Sequence, residues 1–166
     1  MTQPQTDTRQ LRNALGRFAT GVAIVTALDQ DGHPIGLTVN SFSAVSLDPA
    51  LVLWCLDHSS HNLNAFRAAS HHAINILAVD QQVLSDRFAT WPTDRFASLP
   101  WQGGLGGAPI LANCCASFEV ANSAQHEAGD HTIFVGQVEK FNEISTLDPL
   151  LFYAGQYRSI AATQLD

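Results

Sequence analysis

Residues 22–28 are almost uniformly apolar, whereas residues 36–49 alternate apolar side chains with hydroxyls and amides. The first pattern predicts a strand buried on both faces, the second a strand with one polar face. Asp29-Gln30-Asp31-Gly32 supplies turn chemistry, so 22–28 and 33–43 are expected to pair as a hairpin. Further strands are predicted at 51–56, 73–79, 110–122, 132–142 and 150–160, with the polar segment 123–130 as the turn between the two longest. Leu11, Leu15 and Phe18 recur at helical spacing over 8–18. Residues 61–69 also read as helix, with Ser59 or Ser60 available as N-cap, and a short helical segment is expected around 81–88. Residues 89–107, with two Trp and a run of Gly, show no usable period and are expected to cross the surface as an excursion.

Many strands and few helices predict a mainly β fold closed into a barrel, which removes exposed sheet edges. No internal repeat, low-complexity tract or composition shift divides the chain. The expected organisation is a flexible segment at 1–10, one domain at 11–160 and a tail at 161–166. The Gly103–Gly107 run is no dinucleotide fingerprint: no strand leads into it, and Pro109 stands where a helix should start.

Composition narrows the partners. The 166 residues are 46% hydrophobic and only 14% charged, which points to surface covered by a second subunit. A formal charge of −7, with scattered basic residues, argues against nucleic acid. No apolar run approaches the ~20 residues of a membrane helix, and residues 1–7 lack the regions of a signal peptide. Cys55, Cys114 and Cys115 have no redox or zinc spacing and read as buried small hydrophobes, which places the protein in the reducing cytoplasm.

The polar strand carries the candidate chemistry. Thr38 and Asn40 present short polar groups on one face while Leu37, Val39 and Phe42 bury the other. Short side chains let a flat ring lie close to the backbone, and hydroxyls and amides hydrogen-bond its edge without adding charge. A flavin fits that description.

Several segments then carry a family resemblance: Phe18-Ala19-Thr20-Gly21-Val22, residues 36–49, Ala73-Ile74-Asn75-Ile76-Leu77, Leu84-Ser85-Asp86-Arg87-Phe88-Ala89, the run 129–138 beginning Gly129-Asp130-His131, and Pro149-Leu150-Leu151-Phe152-Tyr153. In this order they resemble the short-chain flavin reductases, the reductase components of two-component flavin-dependent monooxygenases. The resemblance runs from about Leu11 to Arg158. It implies an FMN-binding split β-barrel of Greek-key type with a few short flanking helices. It also implies hydride transfer from NADH or NADPH to FMN or FAD, a homodimer, and a monooxygenase that receives the reduced flavin.

Position by position, the resemblance assigns the ring contacts to Thr38, Val39, Asn40, Ser41, Phe42 and Ser43, with Cys55 and Leu56 beside them. The flavin phosphate falls to Asp57-His58-Ser59-Ser60-His61-Asn62, where Ser59 and Ser60 match the family directly. His58 replaces a fixed cation and Asn62 a hydroxyl, so phosphate attraction is expected from hydroxyls, backbone N–H groups and a protonated His. Leu84, Ser85, Phe88 and Ala89 match a segment near the flavin. Gly129 and His131 match the place of the nicotinamide, with His131 as the candidate catalytic residue, and Tyr157 helps close the site with Arg158.

Other chemistries fare worse. Seven His invite a metal, but adjacent His71 and His72 point to opposite faces of a strand, and no Cys pair or carboxylate supports His58 and His61, so no metal site is expected. No Ser sits in a Gly-x-Ser-x-Gly elbow, and Cys residues in apolar strands have raised pKa values. A pyridoxamine-phosphate oxidase needs clustered cations for two phosphates, whereas one Lys and seven Arg are spread widely here. A flavin- or haem-binding split-barrel protein without enzymatic activity is the remaining alternative.

Overall fold

Only Asn40, Ser41 and Phe42 separate β3 (Pro34–Val39) from β4 (Ser43–Leu47), yet these two strands are the opposite edges of a seven-stranded antiparallel sheet. Four chain steps span at most ~14 Å, whereas the edges of a flat seven-stranded sheet lie roughly 29 Å apart. The sheet must therefore curl until its edges meet, and the three-residue link sits at the seam.

The computed structural model describes residues 7–90 and 94–161. After helix α1 (Thr8–Leu15) come β1 (Thr20–Gly21), β2 (Ala23–Leu28), β3, β4, β5 (Ala50–Asp57), helix α2 (Leu63–Ala68) and β6 (His71–Ile76). Helix α3 (Gln82–Ala89), β7 (Trp101–Gly103), β8 (Pro109–Leu111), β9 (Ala116–Ala128), β10 (His131–Glu143), β11 (Leu151–Tyr153) and β12 (Gln156–Arg158) complete the order. The large sheet runs β3-β2-β6-β9-β10-β5-β4, so the β9–β10 hairpin inserts between β5 and β6 in Greek-key fashion. Its two edges share no ladder. The barrel is split rather than closed, and in the link Ser41 meets β5 by side chain: its Oγ accepts from Cys55 N–H at 2.9 Å and donates to Cys55 C=O at 3.2 Å.

β2 is buried along five of its six residues, as its apolar run predicts. Ala23, Val25 and Ala27 face the barrel interior with Trp54, Phe66, Ile74 and Phe134. Val22 and Ile24 face outward into a second core with Leu77, Phe88, Leu111 and Leu150, under α3 and the β11–β12 hairpin. Trp54 stacks on Phe134 with ring centroids 4.5 Å apart, and His72 meets both edge-on. His72 is 1% exposed, and His71, facing the other way, reaches Glu139 at 3.3 Å, so the adjacent pair straddles the strand as expected.

Several expectations yield to the structure. The predicted strand 33–43 ends at Val39 and resumes as β4, because Ser41 trades ladder pairing for its bonds to Cys55. The predicted turn 123–130 is mostly strand: β9 runs to Ala128, and Gly129 (φ 65°) with Asp130 makes the tight turn. The predicted single strand 150–160 is a hairpin, turned by Ala154 (φ 50°) and Gly155 (φ 77°). The 89–107 excursion contains β7, paired with β8. Thr8, Arg9 and Gln10, expected in a flexible segment, are the first turn of α1, where Asp7 accepts from the N–H groups of Arg9 and Gln10. Residues 1–6 and 162–166 lie outside the described residues.

Candidate active site

Beside the seam lies a cavity of about 310 Å³, floored by Leu37, Thr38, Val39, Asn40 and Ser41 and walled by Cys55, Leu56, Asp57, Ser59, Ser60 and His131. β3 and β5 meet here because the sheet has curled, and β10 delivers His131 opposite Asp57 in register. Nine of the residues predicted from sequence converge on this one hollow. Leu37 and Asp57 complete it and were not among the predicted contacts. Asp57 stood in the predicted phosphate segment; Leu37 carried no signal beyond its strand period.

Each polar group has a local anchor. Thr38 Oγ1 donates to the Ser85 carbonyl at 2.7 Å, tying the floor to α3. Ser85 is fully buried, and its Oγ lies 2.9 Å from Tyr157 Oη, which donates in turn to Asp86 at 2.9 Å. Burial, with Asp86 nearby, pushes the Tyr157 phenol up, so it stays a protonated donor. Asn40 is exposed. It borders this cavity and two others, one of about 210 Å³ with Val22, Ala89, Phe152 and Tyr157, and one of about 630 Å³ beyond it.

The phosphate segment is more committed than its sequence suggests. Ser59 N–H donates to Asp57 Oδ1 at 2.7 Å and Ser60 N–H to the Asp57 carbonyl at 3.0 Å. Helix α2 begins after Asn62, which makes no side-chain cap bond, so neither Ser59 nor Ser60 is the N-cap. The backbone N–H groups of both serines are thus bonded to Asp57. The Ser59 N–H also holds the Asp57 carboxyl below its usual range. His58 is drawn to Glu127 (Nε2 to Oε2, 2.8 Å), which also binds Arg67, while Arg67 donates to Thr132 at 2.7 Å. His131 Nδ1 lies 2.7 Å from Asp130 Oδ1, and that bond lowers the Asp130 carboxyl.

Other predicted contacts fall elsewhere. Phe42 stacks on Phe118 at 5.6 Å between centroids, turned toward the barrel interior. Ser43 is exposed on β4, and Asn62 and Gly129 do not border the cavity. Ser85 and Phe88 are buried and offer no surface to a ligand; Phe88 instead packs on Gly36, where an added Cβ would lie 2.8 Å from its ring. Leu84 packs into the outer core. These residues support the floor from behind, because α3 covers the outer face of β3. Burial pushes Cys114 up to about 12 and raises Cys55 and Cys115, so none is a thiolate nucleophile.

The donor set suits a flat redox ring. Short uncharged side chains floor the cavity, an amide and hydroxyls stand at its edge, and the Ser59 and Ser60 hydroxyls stand at one end. Such a floor positions and stacks, with the Asp130–His131 pair at its rim.

The chain is similar to several known proteins. Residues 15–161 match the family model described as flavin reductase like domain. Against the FMN reductase (NADH) SmoA of Agrobacterium fabrum it is 48% identical over 91% of this chain and 85% of that one. Against the flavin-dependent monooxygenase reductase subunit HsaB of Rhodococcus jostii it is 40% identical over 93% and 78%. A probable flavin reductase of Rhizobium meliloti is 46% identical over 95% of this chain, which spans about half (50%) of that relative's length. The Streptomyces globisporus NADH:FAD oxidoreductase SgcE6, solved with NAD and FAD fragments, superposes with a TM-score of 0.90 at 34% identity over 98% of each chain. With its split barrel, seam-side cavity and matched residues 15–161, the chain belongs to the flavin reductase like domain family.

Proposed function

We propose that the protein is an NAD(P)H:flavin oxidoreductase that reduces FMN or FAD and supplies the reduced flavin to a partner monooxygenase. The observation that carries this reading is the cavity at the seam, where Thr38, Asn40 and Ser41 meet Ser59, Ser60 and His131 around a floor of short side chains. A flavin held there by these residues would supply the hydride-accepting chemistry, with a nicotinamide as donor. The chain's own work is positioning. Thr38 is fixed by Ser85, Ser41 is fixed by Cys55, and Asn40 offers its amide to the ring edge. The Ser59 and Ser60 hydroxyls meet the flavin's phosphate end, and His131, steadied by Asp130, stands at the rim for the nicotinamide carboxamide. Holding the two rings in contact removes much of the entropic barrier, so no dedicated acid or base is required.

NADH as reductant is supported by the names of two relatives, an FMN reductase (NADH) and an NADH:FAD oxidoreductase. A monooxygenase partner is supported by the reductase subunit HsaB. A homodimer belongs to the same reading, supported by exposed apolar side chains such as Leu47 and Phe141, and a cytoplasmic location by the three free cysteines. Steady-state NADH oxidation by purified protein, with FMN and with FAD, tests the reading. Flavin-dependent turnover is expected; flavin binding without turnover would favour a non-enzymatic flavin protein.

A further inference from the structure

β3 is an edge strand of the large sheet, so one row of its backbone groups lies outside the ladder. Arg95 reaches this strand from a distant segment. Its Nη1 donates to the Gly36 carbonyl at 2.6 Å, and its Nη2 donates to the carbonyl of Thr90, the C-cap of α3, also at 2.6 Å. One planar guanidinium thus ties the strand that floors the candidate site to the helix behind it. Its rigid fork suits two carbonyls at once, which a lysine ammonium on a flexible stem matches less well. Partial burial lowers the pKa of the guanidinium, which stays charged at neutral pH, and bonds partly withdrawn from water are the stronger for it.

The clasp closes on the residues through which α3 acts on the floor. Gly36 and Thr38, two apart on β3, share one face. At Gly36 the Phe88 ring lies so close that an added Cβ would be 2.8 Å from it. At Thr38 the hydroxyl donates to the Ser85 carbonyl at 2.7 Å. Both partners belong to α3, whose last residue, Ala89, borders the cavity of about 210 Å³ together with Thr38 and Asn40. The segment bearing Arg95 is itself braced against that helix: Arg87 Nη2 donates to the Ala97 carbonyl at 2.6 Å, and Phe96 meets Phe88 edge-on with 5.1 Å between centroids. A strand held to a helix by one hydroxyl and one ring can still tilt against it. Arg95 adds a third attachment, at the helix C-terminus, without lining the seam cavity.

Resting on the flavin-reductase reading, we propose that Arg95 is a positioning residue for the flavin: by clasping Gly36 to the end of α3 it fixes Thr38 in the floor and so sets the affinity for the ring. It acts through Thr38 and Ser85 and touches no ligand at the seam. Because the clasp is made before any ligand arrives, it removes an ordering cost from binding and has no part in hydride transfer.

The test compares Arg95→Met, which keeps a long stem and loses every donor, with Arg95→Lys, which keeps the charge and reaches one carbonyl. The KM and the dissociation constant for FMN should rise about tenfold in R95M, the low end for one charge-assisted hydrogen bond, and about threefold in R95K. kcat and the KM for NADH should stay within about twofold, the pattern of lost positioning that is shared by ground and transition states. Ile74→Val, which loosens the buried barrel interior, should lower the melting temperature and leave FMN binding unchanged. Without flavin, amide exchange in R95M should quicken in α3 and at residues 36–39, while β9 and β10 keep their protection. An unchanged FMN affinity in R95M, no recovery in R95K, a fall in kcat at constant FMN KM, or exchange quickened evenly over the barrel would each overturn the proposal. Should R95M not fold, R95K carries the test alone, and an unchanged FMN KM there overturns it. Wild-type protein that neither binds nor reduces FMN, with the exchange pattern as expected, would overturn the flavin reading and the proposal with it, leaving Arg95 a clasp of the fold.

Discussion

Ser41 is a single hydroxyl that satisfies both the N–H and the C=O of Cys55 just beyond the end of the β4–β5 ladder. Ser41→Ala leaves two backbone groups to find new partners, and a loss of about 1–3 kcal/mol in unfolding free energy is expected, measured in urea. Weaker FMN binding, read by fluorescence quenching, should accompany it, since Asn40 loses its fixed neighbour. His72 sets a pH dependence. Buried among Trp54, Phe66 and Phe134, with its Nε2 on the Phe66 carbonyl at 2.9 Å, it is lowered from 6.5 to about 4 by desolvation. The folded state thus resists a proton that the unfolded chain accepts. Stability from this group is present above about pH 6.5 and falls as pH drops toward 4, by about 1.4 kcal/mol per unit. Melting temperatures of His72→Phe should decline less steeply across that window than those of wild type; parallel slopes would exclude the buried imidazole as the source.

At the scale of elements, the floor of the site is a strand backed by a helix and a hairpin. Gly36 is the point of closest approach: a methyl there would lie 2.8 Å from the Phe88 ring and 3.2 Å from Thr26 Cγ2. Gly36→Ala should push α3 off β3 and destabilise by roughly 1–3 kcal/mol. Because Thr38 hangs from Ser85 on that helix, the KM for flavin should rise as well. Tyr157→Phe removes the link from β12 to Ser85 and Asp86 while keeping the ring against Phe152. About 1–2 kcal/mol of stability should be lost, with flavin KM raised and kcat little changed in steady-state assays. The β2–β3 hairpin and the buried strand β2 were legible in the sequence because turn residues and apolar periods are local signals. The break between β3 and β4 was not: residues 36–49 keep the alternation of one long strand, and only the bond to a residue fourteen positions away ends it. The extent of β9 was likewise hidden, since the exposed hairpin tip carries polar side chains that read as a turn.

For the molecule as a whole, the split barrel explains why the candidate site lies where it does. The three-residue link between the edge strands leaves the ladder where the sheet curls, and Asn40 stands there bordering three hollows. By itself the sequence determined the strand-rich composition, the turn at residues 29–32, the polar character of residues 38–41 and the family resemblance, all of which depend on neighbours along the chain. The tertiary structure alone decided which of those residues share a cavity. It buried Ser85 and Phe88 behind the floor, turned Phe42 inward, and took the Ser59 and Ser60 N–H groups for Asp57. Those outcomes depend on contacts between segments tens of residues apart, made when the sheet curls, and no period in the chain records how far it curls.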